Sequence, residues 1–593
     1  MHLVLLETSG NQNFIFSTNK LRENIGASEL TYRAGTQWVM DAVADITRNQ
    51  QDFNNSEQLR AALLDPTFNR SIEITDVQVE VIIATSGKAL ILVKDRELGK
   101  QIIRTVTTRA LKDAPGLDIC GVISEEFDWE DNGAVDRMNK QLHQRFESVR
   151  GQRPGVDIRF MRLPVVGECS TSGLPASIVD PVGEGKVALR SRLSECKRAA
   201  GFQRIQSLLL QRNEQRNQDG KKNLKFLGNI AEFEDFDENI SWLSVVHADG
   251  NGLGQIFLDF GRDINSNRDY VDQYRQFSTA IDICTEQAFL DAIEQVFTDI
   301  EPNSEGEIII PLVPLILGGD DLTVVCDGRY ALKFTDKFLT AFETHTGKEV
   351  GLPIFVDGEM IPAQRSIITE NSSIIIDQAS KHLGAKRLSA CAGITVMKKH
   401  FPFSVAYGLA EQLIKSAKTV KDIVQTTDGK TIPCSAIDYH ILFDSSGVDL
   451  ASIRTKLEFE QPQTHLYGRP YVVSNQSWYA HSIATDWIDR YHWSKLAELV
   501  SAINAKDADN RHLLSNSQMH DLRESLFLGQ VGADARYRLI RGRYLDRNIQ
   551  VLDAVIGSGS LFWQELSDDL GTEVYKTRFL DAMDAAGFWN GGN

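Results

Sequence analysis

The stretch VPLILGGDDLTVVCD, residues 313–327, decides how this chain is read. Two apolar runs, Val313–Leu317 and Leu322–Asp327, flank Gly318-Gly319-Asp320-Asp321. Runs of this length, separated by four turn-forming residues, predict a β-hairpin with the acidic pair at its tip. Gly318 and Gly319 give such a turn access to positive φ and leave room for a ligand against the backbone. Taken alone, Gly-Gly-Asp-Asp describes a solvated surface turn in most proteins. Its weight comes from what surrounds it.

Upstream, Trp242–Asp249 is apolar until its end and turns at Gly250-Asn251-Gly252, and a helix-rich stretch follows through Thr298. Downstream, 3.6-residue periodicity predicts a helix over Arg329–Thr344, a strand over Ser389–Met397 and a helix over Ser404–Lys421. The same order occurs once before. Strand Leu3–Thr8 precedes a helix over Asn13–Ala34, a hairpin of Val79–Thr85 and Ala89–Lys94 with Ser86-Gly87-Lys88 at its tip, a helix over Glu97–Lys112, a strand Asp118–Ser124 and a helix over Val135–Val149. Each copy reads βα-ββ-αβα, the split βαβ order of ferredoxin-like and polymerase palm domains. The expected fold class is therefore α+β. It comprises a degenerate first domain over residues 1–163, a second over 238–445 and, between them, a polar linker or small inserted domain over 164–237. Beyond it, helical patterns over Trp493–Ala505, Ser517–Gly529, Ala533–Arg543, Leu561–Leu570 and Lys576–Ala586 predict an α-helical domain spanning 446–593.

The chemistry falls on the second copy. Phosphoryl transfer with two metal ions needs several carboxylates converging on ions about 4 Å apart, held on rigid elements. The fold sets the end of its first strand beside the tip of its hairpin, and only the second copy carries acids at both places: Asp249, Asp320 and Asp321. Adjacent strand-end residues point to opposite faces, so Asp249 and Asp320 are expected to share a metal, with Asp321 as a second ligand or as a residue orienting substrate and metal, and the Gly250 carbonyl as a further ligand. Backbone N–H groups of Gly250, Asn251, Gly252 and Gly254 are candidates to cradle a triphosphate. Lys415, Lys418 and Lys421 recur along one helix face, and Lys418 is the first choice for the outer phosphates, with Lys415 beside it. An exposed charged face is the bland alternative. The first copy has Lys88 where an acid is needed, so it serves as a structural partner or as the opposite wall of a composite pocket.

At 593 residues the chain exceeds what one core supports. No apolar run nears the roughly 20 residues of a membrane span, and Met1–Glu7 reads as a strand, not a signal peptide. Seven scattered cysteines with no C-x-x-C pair point to reduced thiols in the cytoplasm. The net charge of −18 excludes broad polyanion attraction and suits a small phosphorylated substrate neutralised by Mg²⁺.

These features resemble the large, polymerase-like subunit of type III CRISPR effector complexes. The resemblance lies in the two palms with Gly-Gly-Asp-Asp in the second, in Asn11–Phe16 leading into Leu21–Ser28, and in Ala248–Gly254. It extends to Ala392-Gly393-Ile394 with His400–Phe403 and Ala417-Lys418, and to Ser517-Gln518 through Leu522-Arg523. It covers most of the chain in order. It implies a nucleotidyltransferase that converts ATP to cyclic oligoadenylates with pyrophosphate release, in antiviral defence. Two Mg²⁺ or Mn²⁺ ions would be its cofactors, and ATP, effector subunits and guide or target RNA its partners. Two departures are visible. No metal-type His-Asp cluster precedes the first palm, and His520-Asp521 stands on a helix without partner histidines, so DNA nuclease activity is not expected. The four-cysteine motif between the palms is missing, with Cys169 and Cys196 alone in that region, so zinc is not expected. Competing readings are a catalytically silent nucleotide-binding scaffold and a cyclic dinucleotide synthase akin to diguanylate cyclases, whose palm carries a similar acidic turn.

Overall fold

Strand β1 (His2–Ser9) is buried from His2 to Leu6, because its apolar run is covered on both faces. Alternation divides it: Leu3 and Leu5 enter one core, Val4 and Leu6 another. The computed structural model describes the chain except residues 49–52, 54, 183–185, 228–239, 298, 349–353, 357–358, 362–373, 428, 444–447, 461–462, 480–481, 483, 508, 544–558, 567–572 and 590–593.

β1 pairs antiparallel with β3 (Lys88–Val93) on one side and β4 (Asp118–Ile123) on the other, and β2 (Val79–Thr85) pairs with β3. The sheet order is β2-β3-β1-β4. In the second half, β8 (Trp242–Gly250), β10 (Leu312–Gly318), β11 (Asp321–Asp327) and β14 (Ala390–Lys398) take the order β10-β11-β8-β14, which is the same topology. The likeness extends to an irregularity. The register shifts between Val81 and Ile83 in β2, and between Pro314 and Ile316 in β10, each just before the hairpin tip. A bulge there also accommodates Pro314, whose missing N–H a regular ladder would need. The second sheet continues through β15 (Ala436–Ile441), parallel to β14, to β18 (Tyr471–Val472). The mixed α+β class is as the sequence predicts.

Both cores run through both halves. One joins Leu3 and Leu5 to Val246, Ala248 and Leu322; the other joins Val4 and Leu6 to Leu243 and Val245. The helix Asn267–Phe297 of the second half lies against β2, where its Arg275 guanidinium donates to the buried Glu80 carboxylate at 2.6 Å and to the Val81 carbonyl. Between the halves stand the hairpin of β5 (Ile178–Pro181) and β6 (Val187–Arg190), the helices Arg192–Ala200 and Gln203–Gln218, and β7 (Leu224–Phe226), which pairs parallel with β9 (Ile308–Ile310). A further hairpin joins β12 (Ile354–Val356) and β13 (Glu359–Ile361).

The C-terminal part departs from the all-helical expectation. Helices Trp493–Ile503, Asn516–Leu526, Gly529–Arg543 and Phe579–Ala586 are present. Beside them, β16 (Glu458–Glu460), β17 (Gln463–His465), β19 (Trp563–Leu566) and β20 (Glu573–Lys576) form a four-stranded sheet in the order β16-β17-β20-β19. The segments read as helices over Leu561–Leu570 and the start of Lys576–Ala586 therefore begin as a β-hairpin. Trp563–Leu566 alternates between half-buried and exposed positions, the period of a strand. Its Trp and the Val574-Tyr575 pair opposite suit a pleated surface better than a helix. Residues 567–570 lie outside the described residues. Among the described residues, no helix is long and apolar enough to cross a membrane.

Candidate active site

In the antiparallel pairing of β8 with β11, Leu322 lies opposite Ala248, so the next step outward brings Asp321 beside Asp249. Asp320 belongs to the turn and not to the strand, since β11 begins at Asp321 and Gly319 holds φ +60° just before it. Strand alternation therefore does not drive the neighbouring acids to opposite faces. One carboxylate oxygen from each of Asp249, Asp320 and Asp321 lies within 4.8 Å of the others, and all three residues are half-buried. Burial, and then the charge of Asp249, push the Asp320 carboxyl up to about 6. Asp321 is pushed well above its ordinary value by burial and by the charges of Asp320 and Asp249.

Three crowded carboxylates supply hard oxygen donors of the type that Mg²⁺ and Mn²⁺ take. The surroundings fit such an ion. Lys418 Nζ forms an ion pair with Asp249 Oδ2 and lies 3.3 Å from the Gly250 carbonyl, so a positive charge already rests on two of the oxygens in question. Glycine at 250 is what keeps this corner open. A Cβ there would stand 2.7 Å from Asp320 Oδ2 and 2.5 Å from Leu253 Cδ1. Gly250→Ala is expected to displace the Asp320 carboxylate and to weaken Mn²⁺ binding about tenfold or more, as read by titration calorimetry.

The turn is held from behind by polar groups that do not stand out in the sequence. The Gly319 N–H donates to Asp282 Oδ1 at 3.0 Å, and its carbonyl accepts from Thr285 Oγ1 at 2.6 Å, both from the helix Asn267–Phe297. Arg204 donates to the Leu317 carbonyl and to Glu286 Oε1. Arg60 bridges Asp282 and Glu286 at 2.7 and 2.8 Å. Burial raises the Glu286 carboxyl, but the two guanidinium groups outweigh it and hold the carboxyl below its ordinary value. The faint signal was Asp282 and Glu286, two acids one helical turn apart in the helix Asn267–Phe297. Nothing pointed to Arg60 or Arg204.

A second support joins the halves. Gln12 donates to the Tyr407 hydroxyl at 3.0 Å, Tyr407 meets His247 Nε2 at 3.1 Å, and His247 Nδ1 lies 3.2 Å from the Leu322 carbonyl and 2.9 Å from Thr323 Oγ1. Burial lowers the pKa of His247. A neutral ring, accepting from Tyr407 and donating from Nδ1, satisfies every group in this chain of bonds. Phe16 stacks on Tyr407 at 4.6 Å between centroids, so the turn after β1 packs on the helix that carries Lys418.

The two hairpin tips face each other. A Cβ on Gly318 would lie 3.2 Å from Ser86 Cβ. Beside this contact opens a cavity of about 610 Å³. Asp320, Asp321 and Gly319 line one side, and Ser86, Lys88 and His143 of the first half line another. Lys88 opens β3 as Asp321 opens β11, and the register sets it opposite Glu7, with Nζ 3.4 Å from the Glu7 carboxylate. An internal ion pair thus occupies the place that three acids hold in the second half.

The remaining candidates divide. Gly254 lines the cavity. Asn251 is committed to the scaffold: its backbone N–H donates to the Ser389 carbonyl at 2.8 Å, and its side chain donates to Ser389 Oγ and the Cys434 carbonyl at 3.0 and 2.9 Å. Gly252 caps the short helix Leu253–Asp259 and packs against Leu383. Lys415 and Lys421 are exposed, and of the three lysines only Lys418 is ion-paired to an aspartate of the cluster among the described residues. All seven cysteines are buried with free thiols.

No protein-family model and no curated protein matches the sequence. Solved structures do. The chain is similar to a crystal structure of a Csm1-Csm4 cassette in complex with cA4, with TM-score 0.35 and 12% identity over 72% of this chain and 55% of that one. It is also similar to a Csm1-Csm4 cassette in complex with AMPPNP, with TM-score 0.34 and 14% identity over the same shares. A cryo-EM structure of a type III-B Cmr-beta complex in the apo state gives TM-score 0.46 and 10% identity over 98% of this chain and 81% of that one. The chain spans just over half the length of the Csm1-Csm4 chains that it matches. The solved structures that this chain resembles are thus parts of type III CRISPR effector complexes, the assemblies whose large subunit its sequence resembles.

Proposed function

We propose that this chain is a palm-type nucleotidyltransferase that joins ATP into cyclic oligoadenylates with release of pyrophosphate, as the large subunit of a type III CRISPR effector. The observation that carries the reading is the convergence of Asp249, Asp320 and Asp321, with oxygens within 4.8 Å of one another although β8 and the turn are some seventy positions apart. Asp249 and Asp320, with the Gly250 carbonyl, would hold one divalent cation, and Asp321 would complete the site for a second. Bound there, the ions would supply charge neutralisation of a triphosphate and a lowered pKa for an attacking 3′-hydroxyl.

The chain's own residues do the rest. The Asp282, Thr285 and Arg204 bonds fix the turn, so that the aspartates are placed before substrate arrives. Lys418 offers a mobile point charge that exchanges its aspartate partner for phosphate oxygens as substrate enters. The cavity between the tips admits a nucleotide against the acids on one side and the Ser86–Lys88 wall on the other, the juxtaposition that attack of one nucleotide on another needs. Its volume falls within the range of small-molecule sites, roughly 300–1,000 Å³.

The test is to incubate the purified full chain with each nucleoside triphosphate and Mg²⁺ or Mn²⁺, with and without candidate activating RNA, and to resolve products by mass. Cyclic or linear adenylates with pyrophosphate support the reading. Cyclic dinucleotides would replace it with the diguanylate-cyclase-like alternative. Nucleotide binding without any product would favour the scaffold.

A further inference from the structure

One residue of the cavity wall carries a buried polar atom that the catalytic reading leaves unused. Asn139, on the helix Ala134–Gln152 of the first half, lines the cavity and is 5% exposed. Its Nδ2 donates to the Tyr270 hydroxyl at 3.0 Å, yet its Oδ1 is buried with no hydrogen-bond partner among the described residues. A buried amide oxygen without a donor is uncommon in a folded protein, and one that borders a cavity points to a ligand that brings the donor. The wall around it is fixed. The Asn139 backbone carbonyl accepts from His143 Nδ1 at 3.0 Å, which leaves His143 Nε2 as the acceptor facing Lys88 Nζ at 2.8 Å. Tyr270 is 1% exposed and stacks on Tyr274, itself a lining residue, so the amide is seated on a rigid aromatic pair.

We propose that Asn139 selects among purine nucleotides, its Oδ1 accepting a hydrogen bond from the exocyclic 6-amino group of an adenine base. The inference rests on the reading of this cavity as a nucleotide site and adds to it a specificity-determining residue. Adenine presents a donor at that position, whereas guanine presents the O6 acceptor, which would set two lone pairs against each other in a buried site. Among purines the preference follows from which atom of one amide meets the base.

The experiment measures Mg²⁺-dependent binding of ATP, GTP and purine riboside triphosphate, which lacks the 6-amino group, to the full chain by calorimetry. Wild type is expected to favour ATP over both by about tenfold or more, the usual loss when a buried polar group is left unpaired. Asn139→Ala is expected to erase that advantage by weakening ATP alone, to the level of purine riboside triphosphate. Tyr270→Phe keeps the Oδ1 acceptor and is expected to retain the ATP preference, which shows that loss in Asn139→Ala does not come from disturbed packing. Equal wild-type affinity for ATP and purine riboside triphosphate overturns this inference and leaves the catalytic reading standing, and needs no variant to fold. Preference for GTP overturns it as well, and absence of all nucleotide binding overturns both.

Discussion

Asp320→Asn/Asp321→Asn is expected to lower product formation by about a thousandfold or more while making the metal-free protein more resistant to unfolding. On the proposed reading, the first effect follows from removing charge that two cations would need. Losing several kcal/mol of transition-state stabilisation corresponds to about that factor. The second follows from electrostatics alone. Asp320 is pushed up to about 6 and Asp321 is raised as well, so in the absence of cations the folded state holds protons that the unfolded state gives up near its ordinary carboxylate values. With more protons bound in the native state, stability falls as pH rises from about 4 through 6 on account of Asp320, and goes on falling until Asp321, raised well above its ordinary value, has ionised as well. Wild type without metal should therefore melt at lower temperature at pH 7 than at pH 5, relative to the double variant, and added Mn²⁺ should remove the difference only in wild type. Thermal melts across pH, with and without Mn²⁺, check this. Identical pH slopes for the two proteins would mean that the three carboxylates do not form the repelling cluster described.

Glu286→Ala carries the largest expected loss of stability, about 3–5 kcal/mol. Its carboxylate is 2% exposed and bridges Arg60 and Arg204, so its removal takes the ion-pair partner from the buried Arg204 guanidinium and one of two from the half-buried Arg60. Arg60 retains Asp282, and Arg204 retains the Leu317 carbonyl and the Tyr32 ring, 4.1 Å beneath it. Because Leu317 and Asp282 touch the acidic turn, the same change is expected to reduce turnover in whatever fraction remains folded. Denaturant titration together with product assays separates the two effects. Glu286→Gln should lie between, since it keeps the hydrogen-bond geometry and loses the charge.

Much of this architecture is legible in the sequence, for physical reasons. The strands of the two main sheets are short apolar runs closed by turn residues, and their spacing repeats, which makes the order shared by the two halves readable from the residues alone. The acids at the end of β8 and at the β10–β11 tip are legible because the topology fixes which chain ends meet. What sequence does not reveal depends on contacts between distant segments. Asn251 looks like a phosphate cradle until its backbone N–H is found donating to the Ser389 carbonyl. Arg204 lies in a polar linker, yet its guanidinium reaches the acidic hairpin from outside both halves. The Trp563–Leu566 segment reads as a helix because two-sided amphipathicity over four residues is too short to fix a period.

The Glu7–Lys88 ion pair gives the duplicated design a direction. Two equivalent acidic centres facing one seam would have no reason to treat one nucleotide as attacker and its neighbour as attacked. With one centre closed off by its own salt bridge, the pseudo-twofold relation is broken at the level of charge while it survives in the backbone. On the catalytic reading, strand growth therefore has a single sense, from the wall that lost its acids toward the one that kept them.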